Sequence, residues 1–130
     1  MKKTFFLLLL LCTTIVFSQD QPVDVPKIVV KVPMGETVQF EKASVRFIKV
    51  LEDSRCPKDL TCVWAGQAKI LVEIIENGKS AVQKEILFKA GVESNLLTSE
   101  TYTLKGVSLS PYPTSDSVGK LEYLLLVSEE

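Results

Sequence analysis

The chain contains no histidine. That absence removes Ser-His-Asp and Cys-His catalysis and every imidazole metal ligand. Arginine is scarce, with only Arg46 and Arg55 set against thirteen lysines. Tryptophan occurs once, at Trp64, and cysteine three times, at Cys12, Cys56 and Cys62. There is no basic patch, which argues against nucleic acid and against an anionic membrane surface as partners. There is no internal repeat, no low-complexity segment and no amphipathic helix of three turns. No spaced acidic loop of the EF-hand type is present either, so no metal or cofactor is expected.

What the N-terminus does have is an export pattern. Lys2 and Lys3 precede an apolar run from Phe5 to Phe17, interrupted mainly by Thr13 and Thr14. Val16 and Ser18 fit a small-residue cleavage site, with the cut before Gln19. The run is shorter than the ~20 residues of a membrane-spanning helix, and no second one follows. Cys12 raises the rival reading of a lipoprotein. Leu11 before it, and Ile15, Val16 and Phe17 after it, argue against that. Cleavage would leave two cysteines for one bridge, in a compartment that permits it. It would also leave 13 basic and 16 acidic residues, a net charge of −3. The expected organisation is a signal peptide at 1–18, a flexible leader at 19–26 around Pro22 and Pro26, and one domain at 27–130. A domain of that size buries about two-thirds of its unfolded surface, so its core does not depend on the bridge.

From Lys27 onward the pattern is that of strands. Ile28–Val32, Thr37–Glu41 and Ser44–Glu52 come first. The third has Val45, Phe47 and Leu51 on one face and Ile48 and Val50 on the other, as expected of a central strand. Ala68–Glu76 alternates cleanly and ends at Asn77-Gly78, a hairpin signal. A three-residue loop Glu76-Asn77-Gly78, pairing Val72 with Val82 and Ala68 with Ile86, keeps apolar residues on one face. Leu96–Leu97, Thr101–Leu104 and Val107–Leu109 are short strand candidates. Ser110 to Gly119 is a long polar loop, either functional or merely a connection. Leu121–Ser128 is a second two-faced, central strand. The fold class is all-β: an antiparallel sandwich or a small barrel with a local disulfide-closed loop.

The rare residue types gather in one stretch, Glu52 to Ala68. Cys56 and Cys62 lie six apart with Pro57 and Asp59 between them, which favours a turn. A bridge there would close a small ring worth about 2 to 2.5 kcal/mol in the chain-entropy model. The spacing is not the Cys-X-X-Cys of redox proteins, so a structural staple is expected. Arg55 beside Asp53 suggests a bidentate contact. It serves either as an internal pin for the loop or as a presented recognition tip. Trp64, two residues past Cys62, is expected to pack over the disulfide if the chain is extended. The alternative is an exposed anchor for a partner. Gly66 suits a bulge or a close backbone approach. Glu52, Asp53 and Asp59 are the carboxylates to consider for acid–base work or calcium. Acids at a strand end are ordinarily just solvated.

Asp53 to Gly66 reads DSRCP, four residues, then CVWAG. It resembles the signature of an uncharacterised family of small secreted bacterial proteins. The resemblance implies secretion and carries over no catalytic role. Two functional readings follow. The first is an exported, non-catalytic binding or protein-interaction module whose contact surface is the stapled loop 53–64, with 110–119 as a candidate extension, toward a protein or another extracellular ligand. The second is a structural or accessory envelope protein in which the motif serves only the fold.

Overall fold

The computed structural model describes residues 26–117 and 120–130. The expected signal peptide, its cleavage site, Cys12 and nearly all of the leader lie outside them. Eight strands follow in order: β1 (Val29–Pro33), β2 (Thr37–Gln39), β3 (Ala43–Asp53), β4 (Gln67–Glu76), β5 (Val82–Lys89), β6 (Ser94–Ser99), β7 (Tyr102–Ser110) and β8 (Leu124–Glu129). They form two antiparallel four-stranded sheets, ordered β1-β8-β7-β6 and β2-β3-β4-β5. The architecture is a sandwich with open edges and not a closed barrel. β3 and β8, expected to be central, each have a neighbour on both sides, as β4 and β7 also do.

The core lies between the sheets. Ala68, Ile70, Val72 and Ile74 of β4 are buried at every second position, the period of a pleated strand. They face Val32, Leu104, Leu125 and Val127 of the other sheet, all completely buried. Gly106 of β7 sits against Phe88, and a Cβ there would stand 2.8 Å from the Phe88 ring. The missing side chain makes room for the ring, and β7 runs on through this point. The segments Thr101–Leu104 and Val107–Leu109 are therefore parts of one strand, with a register shift between Gly106 and Ser108.

Two bulges in β3 change its expected faces. The register against β4 shifts between Phe47 and Lys49 and again between Val50 and Glu52. Each shift inserts one unpaired residue and reverses the alternation. Val50 thus faces inward opposite Ile70. Leu51, expected to be inward with Val45 and Phe47, is the extra residue of the second bulge and is 40% exposed. The second reversal returns Asp53 to the inner side, opposite Ala68.

The β4–β5 hairpin keeps the expected parity in a different register. Ala68 pairs with Phe88, Ile70 with Ile86 and Ile74 with Val82, two residues along from the pairing of Val72 with Val82. The turn is closed by the Lys79 N–H donating to the Glu76 carbonyl at 2.9 Å, with Gly78 at φ +80. Hydrophobic patterning selects even against odd residues. It does not distinguish registers two apart, because both bury the same face.

Candidate functional site

The end of β3 delivers Asp53 to the rim of the core, and the chain then enters the stapled loop. Its two limbs stay paired: the Ser54 N–H donates to Gln67 O at 2.8 Å and the Cys56 N–H to Ala65 O at 2.9 Å. Gly66 permits this approach. It takes φ +70, and a Cβ there would lie 1.8 Å from Ser54 O, an overlap that no side chain tolerates. Beyond this pinch the Leu60 N–H donates to Pro57 O at 3.0 Å. Cys56 and Cys62 are bonded with their Cα atoms 5.9 Å apart, within the range a disulfide needs.

Arg55 is 8% exposed and fully engaged. Its Nε and Nη2 donate to Asp53 Oδ1 and Oδ2, both at 2.8 Å. Nη1 donates to Leu109 O at 2.7 Å and Nη2 also to Pro111 O at 3.2 Å. The guanidinium lies over the Tyr112 ring, 4.8 Å from its centre. Asp53 Oδ2 accepts a further bond from the Tyr123 hydroxyl at 2.9 Å. Burial alone would raise the Asp53 carboxyl. The hydrogen bonds from Arg55 and Tyr123, with the guanidinium charge, outweigh it and hold the group below the usual range. Tyr123 is pushed up to about 12 by burial and by its bond to the carboxylate.

The loop is also tied along its side. The Lys58 N–H donates to Pro113 O at 3.0 Å. Asp59 accepts from the Ser115 backbone N–H at 2.9 Å and from the Ser115 hydroxyl, bonds that lower its pKa. The segment after β7, which begins with a cis peptide at Ser110–Pro111, is thus a buttress for the stapled loop. Beside them runs an open groove of about 430 Å³, lined by Val50, Glu52, Asp53, Pro57, Pro113 and Tyr123.

The residues singled out in the sequence separate into two groups. Asp53 and Arg55 form the internal pin, and Cys56 and Cys62 form the staple. Trp64 does not cover the disulfide; it is 82% exposed, beside Val63 at 92% and with Leu60 at 54%. The same-face expectation required an extended chain, whereas the backbone bends at Val63 and Trp64. Glu52, Asp53 and Asp59 do not converge. Glu52 accepts from the Ser54 hydroxyl at 3.1 Å, while the other two carboxylates are held by Arg55 and Ser115. Among the described residues no three Cys, Asp or Glu side chains gather as metal ligands would, and no helix is long and apolar enough to cross a membrane.

Tyr112 and Tyr123 escaped sequence reasoning as partners of the pin. Tyr112 lies between two prolines in a long polar connection, where no spacing signal points to Arg55. Tyr123 lies seventy residues from Asp53 and read as an ordinary strand residue. No model of a known family, no curated protein and no solved structure matches this chain. The resemblance of residues 53–66 therefore rests on the motif alone.

Proposed function

We propose that the protein is an exported, non-catalytic binding module whose contact surface is the tip of the stapled loop, centred on Trp64. The observation that carries this reading is the exposure of Trp64, Val63 and Leu60 on a loop fixed by a disulfide and by a buried arginine. Large apolar side chains held outward on a rigid support lose little conformational entropy on binding. Tryptophan in particular is enriched among residues that dominate interface energy. Asp53 and Arg55 belong to the support and do not touch the partner. A disulfide in the described domain agrees with an oxidising compartment, as the N-terminal pattern of the sequence does.

The test is affinity capture from the secreted and envelope fractions, with the oxidised 19–130 domain as bait and a matched Trp64→Ala bait. The expected outcome is a partner retained by the wild type and lost from Trp64→Ala, with both baits equally stable. Identical sets on the two baits would overturn the reading. They would favour the accessory envelope protein, in which the motif serves only the fold, a reading supported by the burial of Arg55.

A further inference from the structure

The two sheets part company at the β5–β6 edge. β5 closes one sheet and β6 the other, and they follow one another in the chain. Near the connecting turn they are stitched together. Lys89 and Val92 form an isolated bridge, the Val92 N–H donates to Lys89 O at 3.1 Å, and the Ser94 hydroxyl donates to Leu87 O. Towards the start of β5 the stitching ends and a cleft of about 300 Å³ opens between the sheets. Ile74 and Leu96, both core residues, form its floor, and Val82, Leu97 and Thr98 flank it.

One cation crosses this apolar slot. Lys84 Nζ donates to Asn95 O at 3.0 Å and to Leu96 O at 3.5 Å. Among the described residues no carboxylate lies within ion-pair distance of it. Lys79, also at the rim, is by contrast paired with Glu76 at 2.8 Å. Lys84 thus reaches across the mouth of the slot from an exposed position, held on two carbonyls, while Glu76 and Lys79 of the same lining pair with each other.

We propose that the β5–β6 cleft binds an amphipathic monoanion, a medium-chain alkyl carboxylate, with its tail between the sheets and its head group on Lys84. The volume is at the lower end of small-molecule sites, roughly 300 to 1,000 Å³. The apolar lining suits an alkyl chain. A carboxylate head group gives the exposed Lys84 ammonium a charged acceptor beyond its two carbonyls. The site is separate from the stapled loop. The loop leads into β4 at Gln67, and the cleft lies at the far end of β4, near Glu76. Ten residues of strand put the two roughly 30 Å apart.

The experiment is calorimetric titration of the oxidised domain with dodecanoate below its micelle concentration, and with dodecanol as the uncharged control. Methyl NMR shifts would locate the site. The expected result is saturable one-to-one binding, shifts concentrated at Ile74, Val82 and Leu96, and dodecanol bound at least tenfold more weakly. Lys84→Met should weaken dodecanoate binding at least tenfold without changing the melting temperature. Thr98→Trp, which fills the mouth from an exposed position, should abolish it even if Lys84→Met folds poorly. Absence of saturable binding, equal affinity for the alcohol, or shifts centred on Val63 would overturn the proposal. Lys84 would then be a side chain that merely covers an apolar groove.

Discussion

Arg55 and Trp64 come from the same motif, yet their substitutions should behave in opposite ways. Arg55→Ala leaves the Asp53 carboxylate without its guanidinium and the Leu109 and Pro111 carbonyls without a donor. Removing one partner of a buried pair costs about 3 to 5 kcal/mol. Urea unfolding of the oxidised domain should therefore show a loss of about 3 kcal/mol or more. Arg55→Lys should recover little of it, because an ammonium cannot make the bidentate contact and stack on Tyr112 together. Trp64→Ala removes an exposed side chain and should change stability by less than about 0.5 kcal/mol. The pairing of Asp53 with Arg55 was legible from their adjacency and from the scarcity of arginine. The burial of the pair was not, because its enclosing groups, Leu109, Pro111, Tyr112 and Tyr123, come from the far end of the chain.

At the scale of the element, the loop is held by the disulfide, by the backbone pinch at Gly66, by the Arg55 pin and by the bonds of Lys58 and Asp59 to Pro113 and Ser115. The core residues that support β3 and β4 do not depend on the staple. The double variant Cys56→Ser, Cys62→Ser should therefore lose about 2 to 2.5 kcal/mol and still fold. Circular dichroism should report intact strands, and the urea midpoint should move down with an unchanged slope. Collapse to an unfolded chain would mean that the loop nucleates the sheet. The strands themselves were largely legible, since the alternation in β4 follows from period two. The β3 bulges were not. An extra residue carries no compositional mark, and Leu51 read as a core residue until the register with β4 placed it outside.

Across the whole molecule the Asp53 cluster joins the two sheets. Asp53 and Arg55 extend from β3, while Leu109 belongs to β7 and Tyr123 leads into β8. The folded Asp53 pKa lies below its ordinary value of 3.8. Its contribution is therefore present above that value and is lost as pH falls through the depressed folded pKa. Stability should drop below about pH 3.8, with a shallower slope in Asp53→Asn, which starts from a lower plateau. Equal acid slopes in the two proteins, measured by urea unfolding across that range, would show that other carboxylates govern the acid limb. The surface network of Lys27 with Glu93 and Glu130, and of Lys105 with Glu130, lies near both ends of the described chain. Exposed, salt-screened pairs of this kind add little to stability.

The sequence by itself determined that this is an all-β chain with β3 and β8 inside its sheets, a local staple and no histidine chemistry. Those properties depend on residue type and on spacing along a few neighbouring positions. Only the tertiary structure decided which motif residues face inward. Arg55 is buried because β7 and the Pro111–Pro113 segment close over it, and Trp64 is exposed because the backbone bends before the tryptophan can reach the disulfide. The cleft under Lys84 likewise belongs to no local pattern. It exists because consecutive strands β5 and β6 end up in different sheets, and spacing along the chain carries no record of that separation.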